Sequence, residues 1–367
     1  MRKFSGILFS LLALAASAQK KQSTPPTVSD SIPFSLGALS FRNIGPALMS
    51  GRIFDIAVNP QNSSEYYVAA ASGGVWKTVN NGITYDPIFD GEGSFSIGAL
   101  TIDPSNPYTI WVGTGEANNQ RSVAYGDGVY RSDDGGKSWK NMGLTKSEHI
   151  ARIVVDPKNS NTIYVAAYGP LWSNGGERGI YKSTDGGNTW KESLKVSQYT
   201  GFCDVRMDPR NPDVLYAVAH QRQRKVYGFV DGGPESAVYK TTDGGTTWNK
   251  LSNGLPGGDV GRIGLAIAPS NPDVLYAIVE AQEGSSGFYK STDRGASWNK
   301  QSSHSTSGNY YQRIFVDPIN ENKIYSCDMM MGLSLDGGIS WNDVPTKNKH
   351  VDNHVIYIDP KNTSHLL

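Results

Sequence analysis

Two short motifs alternate along this chain in fixed order, and that alternation restricts the fold more than any other feature. The first is Ser/Thr-x-Asp-x-Gly-x-x-Trp, present as Ser132–Trp139, Ser183–Trp190, Thr241–Trp248, Ser291–Trp298 and Ser334–Trp341. A looser copy, Thr78–Tyr85, carries Asn80 in place of the Asp. The second is an apolar residue, then Asp-Pro or a close variant, then a polar turn and an aromatic-containing segment. Its prolines are Pro60, Pro104, Pro157, Pro209, Pro269, Pro318 and Pro360, spaced 42 to 60 residues apart. A period of that length with four short β-like segments per copy is the signature of a propeller. The expected fold is therefore all-β: a β-propeller of four-stranded blades, with six complete repeats and a partial seventh.

Composition agrees where it is needed. The chain has 41 glycines in 367 residues, 10% aromatic residues and only 19% charged ones, which suits many strands joined by tight turns. Each unit reads as strands A to D, as in Ile150–Val155, Thr162–Ala167, Gly179–Ser183 and Thr189–Ser193. Asp-Pro builds the A–B turn, because proline pre-sets φ and the Asp side chain can cap the amides that follow. The Ser-x-Asp segment builds the C–D turn, and its Trp is expected to cover the hairpin.

The ends divide differently. Arg2 and Lys3 precede an apolar run, Gly6–Ala16, and Ala16-Ser17-Ala18 offers small residues for cleavage after Ala18. Residues 1–18 read as a signal peptide, 19–33 as a polar leader and 34–367 as the propeller. The apolar run is about eleven residues, whereas spanning a bilayer needs roughly 20, so no membrane span is expected and the protein is read as secreted or periplasmic. The 34 basic and 34 acidic side chains balance, which removes the basic footprint of a nucleic-acid binder. Cys203 and Cys327 fall two blades apart and read as buried thiols. No metal set and no cofactor motif is found. The seventh unit has an A strand (Asn353–Ile358) and starts a B strand near His365, which predicts a C-terminal extension or a ring left open.

The C–D segments resemble the Asp-box (BNR) repeat, and that resemblance covers roughly residues 40–367. It implies that the five Asp residues are structural turns on the face away from the site. Closest in overall pattern are secreted bacterial BNR-repeat proteins with sortilin-like propellers, glycosyl-hydrolase-like by repeat similarity. Phe41–Pro46, Ser72–Thr78 and Gly113–Asn119 carry that resemblance. Xyloglucanases are similar around the first B–C turn, where they place a catalytic Asp before Gly-Gly. Here that stretch is Ala70-Ala71-Ser72-Gly73-Gly74, without an acid. Sialidases open on a Phe/Tyr-Arg-Ile-Pro motif that Phe41-Arg42-Asn43-Ile44-Gly45-Pro46 matches only loosely. Sortilin-type propellers bind peptides and proteins.

With A–B and C–D turns on one face, the B–C and D–A connections form the other, called the top. B–C connections are long in units two (Gly113–Gly128), three (Gly169–Arg178), four (His220–Glu235) and five (Glu280–Gly287). Loops on a rigid scaffold carry function. The expected ligand-binding residues are Glu116, Asn118, Asn119 and Arg121 in unit two, and Trp172 in unit three. Trp172 is the only one of eight tryptophans outside a repeat position. His220 and Arg222 follow in unit four, within a basic run that includes Arg224 and Lys225. Arg52 and His149 sit at the tops of A strands with Arg262 and His354, a pattern that hints at an anion-binding channel mouth. Top-face acids include Asp90, Glu92, Glu148, Glu177, Glu235, Glu280 and Asp352 as well as Glu116. The resulting expectation is a secreted propeller recognising an extracellular glycan or a protein through blades two to five. The alternative is a glycoside hydrolase whose carboxylate pair, normally roughly 5–9.5 Å apart, the sequence does not identify.

Overall fold

The structure is a computed structural model that describes residues 51–118, 123–282, 284–347 and 349–367. The signal peptide, the polar leader, Phe41–Pro46, Asn119 and Arg121 lie outside the described residues. Six antiparallel sheets follow one another along the chain. Blade one is β1 (Ile53–Val58), β2 (Tyr66–Ala70), β3 (Gly74–Thr78) and β4 (Asp86–Pro87). Blade two is β5 (Ile97–Asp103), β6 (Asn106–Thr114), β7 (Val129–Ser132) and β8 (Lys140–Asn141). Blade three is β9 (Ile150–Asp156), β10 (Asn159–Ala167), β11 (Gly179–Ser183) and β12 (Lys191–Leu194). Blade four is β13 (Thr200–Asp208), β14 (Asn211–Lys225), β15 (Gly228–Asp231), β16 (Ala237–Thr241) and β17 (Asn249–Leu251). Blade five is β18 (Val260–Ile267), β19 (Leu275–Ala281), β20 (Gly287–Ser291) and β21 (Asn299–Ser302). Blade six is β22 (Arg313–Val316), β23 (Ile324–Cys327), β24 (Gly332–Ser334) and β25 (Asn342–Asp343). The molecule is a six-bladed β-propeller.

Residues 353–367 add the start of a further unit. Tyr357 and Leu367 exchange both backbone hydrogen bonds, and Ile358 bridges Leu366. Ile356 and Ile358 pack on Tyr325, Cys327 and Met331 of blade six. Ile314 and Val316 use blade five in the same way.

Burial is greatest between blades, where alternate residues of facing sheets interdigitate. Tyr67, Val75 and Phe89 of blade one meet Ile97, Leu100 and Val112 of blade two. The Ser-x-Asp turns are self-contained. Asp134 Oδ1 accepts from Ser132 Oγ and the amides of Lys137 and Ser138, and Oδ2 accepts from Ser138 Oγ. Gly135 and Gly136 both take positive φ there, a conformation that glycine tolerates without a Cβ clash.

Two features of these turns extend the sequence reading. The turn's Trp lies against its own turn, as Trp139 does at Gly136 and Trp341 in its bond to Gly338 O, and also reaches the preceding blade: Trp139 Nε1 donates to Ile88 O, and Trp190 Nε1 to Met142 O. The carbonyl after the Asp is held from the preceding blade as well. Lys77 Nζ and Tyr67 Oη donate to Gly135 O, and Lys182 Nζ and Tyr164 Oη donate to Gly244 O.

The A strands line a central channel that a charged layer crosses at mid-height. Arg152 bridges Asp55 (3.3 Å) and Asp204 (3.1 Å), Arg206 pairs with Asp204 (2.9 Å), and Arg313 pairs with Asp55 (3.4 Å). Since Asp55 is on β1 and Arg313 on β22, this layer also ties the sixth blade to the first. The void left beside it is about 10 Å³. Below it the channel opens into a funnel of about 470 Å³, walled by Ile56, Met207, Ile267, Phe315 and Ile356.

Candidate functional site

Above the charged layer, the ends of the A and B strands bring polar side chains from several blades together. Arg52, just before β1, donates from Nε to Glu116 Oε1 at 2.6 Å and from Nη1 to Tyr310 Oη at 2.8 Å. Glu116 follows β6, and burial pushes its carboxyl up to about 7 against the opposing charges of Arg52, Arg222 and Arg262. Asn118 beside it is completely buried. Arg222 lies over the Tyr168 ring, 3.4 Å from its centroid, and donates to Ala117 O. Tyr168 Oη is hydrogen-bonded to His220 Nδ1. His149 is buried at the start of β9, and burial followed by the charge of Arg222 lowers it to about 3, so it is neutral at physiological pH. Tyr311 stacks on His354 and donates to Asp352.

Arg52, Glu116, Asn118, His149, His220 and Arg222 therefore share the channel mouth. Trp172 is separate, 49% exposed on the β10–β11 connection. The unit-four loop is not a loop. β14 runs on to Lys225 and returns as β15, pairing Arg222 with Asp231 and Lys225 with Gly228. Alternation through Arg222–Asp231 with a Val226-Tyr227 tip was the available signal, but the basic run obscured it. The hairpin docks on blade three through Arg224 N to Leu171 O.

That hairpin supplies an acid absent from the sequence-level candidates. Asp231 lines a top-face cleft of about 440 Å³ between blades four and five, with Glu280 at the end of β19, Gln221 and Asp259. Burial pushes Asp231 up to about 7, the charge of Glu280 adds to that, and Arg262 and Arg222 oppose it. Glu280 is also raised by burial, opposed by the Arg262 amide and the Arg262 charge. Its Oε2 is wedged where a Cβ on Gly308 or Gly261 would stand 2.0 or 2.4 Å away, so this carboxylate position requires glycine at both. Two carboxyls raised by burial in one cleft are the raw material of acid–base chemistry.

Two of the other acids have structural partners. Glu235 accepts from Ser197 and Thr200, and Glu177 from the Lys146 amide. The β2–β3 turn holds Ala71, Ser72 and Gly73, with no acid in it. Among the described residues no group of three His, Cys, Asp or Glu is placed to hold a metal ion, and no helix is long and apolar enough to cross a membrane.

A family model described as "Sortilin, neurotensin receptor 3" matches residues 127–256. A xyloglucanase of Hypocrea jecorina is 27% identical over 223 residues, covering 53% of this chain and 25% of that protein. A xyloglucanase of Acetivibrio thermocellus is 23% identical over 263 residues, covering 60% of this chain and 27% of its own length. The chain thus spans about a quarter of these relatives. Among solved structures, the GH74 xyloglucanase from Xanthomonas campestris superposes with a TM-score of 0.59 at 19% identity, covering 78% of this chain and 45% of that one. YCF48 bound to D1 peptide superposes with a TM-score of 0.56 at 14% identity, covering 88% of this chain and 92% of that one. The propeller is sortilin-like and glycosyl-hydrolase-like in sequence and fold.

Proposed function

We propose that this propeller is a glycan-acting, glycoside-hydrolase-like protein whose reacting carboxyls are Asp231 and Glu280. The observation that carries the reading is their common cleft, with Glu280 raising the Asp231 carboxyl. A carboxyl at about 7 retains a proton at neutral pH and can give it to a leaving glycosidic oxygen. Glu280, fixed against the Arg262 amide, is the partner that activates water or attacks the sugar. The similarity to xyloglucanases supports a glycan substrate. The acid-free β2–β3 turn means that the chemistry uses a different place in the fold from the one the xyloglucanase resemblance implied. Met1–Ala18 would deliver the protein outside the cytoplasm.

Purified protein is incubated with a panel of plant and bacterial polysaccharides, xyloglucan included, and released reducing ends are measured. Wild-type turnover should fall on the order of a hundredfold or more in Asp231→Asn and in Glu280→Gln. Absence of turnover across the panel, or full activity in Asp231→Asn, refutes the reading.

A second reading is recognition of a protein or glycan without turnover, through Trp172, Glu116 and their neighbours. It is favoured by the likeness to YCF48, which this fold matches over nearly that protein's whole length. Retained ligand binding in a protein without hydrolysis would select it.

A further inference from the structure

The funnel below the charged layer is a second concave site, and the chemistry proposed for the top face does not use it. Its volume is about 470 Å³, within the range of small-molecule sites. It is lined from the A strands, where Ile56, Met207, Ile267 and Phe315 are only half-buried. An apolar concavity left open to water is favourable to cover. Pro209, Pro269 and Pro318 also line it and bring no N–H. Among the lining residues only Tyr357, Asp55, Arg152 and Arg206 carry a polar side chain, and the last three belong to the floor. A peptide laid along these walls would lose hydration at amides that find few partners. The walls therefore suit a ligand that is polar at one end only.

The floor gives the sign of that end. Among the described residues the charged layer sets Arg152, Arg206 and Arg313 against Asp55 and Asp204, three cations to two anions. Asp204 divides its two oxygens between Arg152, at 3.1 Å, and Arg206, at 2.9 Å. Arg206 reaches it through Nε, and the Arg206 side chain is 27% exposed where it lines the funnel. Among the described residues its two Nη groups have no hydrogen-bond partner. A guanidinium always carries its charge, and its fork matches a carboxylate with two parallel hydrogen bonds.

We propose that this funnel binds a free medium-chain fatty acid, with its carboxylate on Arg206 and its alkyl chain along Ile56, Met207, Ile267 and Phe315. The site is independent of the glycan reading. The charged layer closes the funnel from above and leaves a void of only about 10 Å³ beside it, so the acid enters and leaves by the lower face. Asp231 and Glu280 open on the top face and take no part.

The test is calorimetric binding of hexanoate, octanoate, decanoate and 1-octanol to the purified chain, each below its micellar concentration. A buried methylene is worth about fourfold in affinity, so decanoate should bind roughly tenfold tighter than octanoate. Octanoate should bind at least about tenfold tighter than 1-octanol, with affinity that weakens as salt rises. Arg206→Gln should lose about tenfold for octanoate and leave 1-octanol unchanged, whereas Arg206→Lys should recover part of the loss. Melting temperatures identify a variant that fails to fold. In that event the Met207 methyl resonance of the wild type decides: octanoate should shift it, and an unmoved methyl overturns the proposal. Equal affinity for octanoate and 1-octanol, affinity that does not grow with chain length, or an Arg206→Gln protein that folds and binds octanoate normally also overturns it. So does a dimer in solution that covers the funnel and excludes octanoate, which would assign the surface to a second copy of the chain.

Discussion

Replacing Trp190 by Ala tests the claim that the turn tryptophans join blades. Trp190 is half-buried, so removing its ring re-exposes on the order of 100 Å² of apolar surface, about 2.5 kcal/mol. The edge-to-face contact with Trp111, at 6.5 Å between centroids, adds about 0.5–1.5 kcal/mol. The bond from Nε1 to Met142 O, 2.7 Å long, adds about 1 kcal/mol. The expected cost is therefore about 4 kcal/mol, within the range for truncating a large aromatic. An unfolding entropy of about 2.1 cal/mol/K per residue, over the roughly 320 residues of the propeller, converts this to a fall of about 6 °C in melting temperature. Trp190→Phe keeps the ring contact and loses the bond, so its fall should be nearer 2 °C, or about 1 kcal/mol. Scanning calorimetry on the three proteins measures both. If Trp190→Ala melts within a degree of wild type, or if Phe costs as much as Ala, the inter-blade role is wrong.

Two pH effects follow from the carboxyls. Hydrogen bonds from Thr189 and Ser183 hold Asp185 at about 2, and the same arrangement lowers Asp293 and Asp336 to about 2. A folded value below the unfolded one gives stability that is full above about pH 4 and is lost as pH falls through 4 to 2. Melting temperatures measured from pH 5 to 2 should show that decline, and Thr189→Val should reduce it. Asp231 gives the opposite sign in activity, because a general acid must carry its proton. Turnover should fall as pH rises through about 7, and a rate flat to pH 9 would exclude Asp231 from that role.

The blade count was readable because each repeat carries its own turn chemistry, and turn chemistry is local. Ser183-x-Asp185-x-Gly187 specifies a C–D turn whatever surrounds it. The inter-blade bonds were hidden for the opposite reason. Tyr164 and Gly244 are 80 residues apart, and only the packing of blade four against blade three brings them together. The channel mouth was partly legible, since Arg52, His149 and Arg262 hold matching positions on A strands. Asp231 was not, because its position depends on β14 running past the blade edge into a hairpin. A basic run such as Arg222–Lys225 reads as solvated loop unless the pairing of Arg222 with Asp231 is known.

The charged layer at mid-channel determines which parts of a polymer can enter. A void of about 10 Å³ has room for a single water, so no sugar ring passes between Arg152, Asp204 and Arg313. The mouth above it is thus a blind tube. A polysaccharide cannot be threaded through the ring as a rope through a pulley. On the glycan reading it would lie across the top face, where the cleft of Asp231 and Glu280 opens. The floor that closes the channel is the set of ion pairs that also ties the first blade to the sixth.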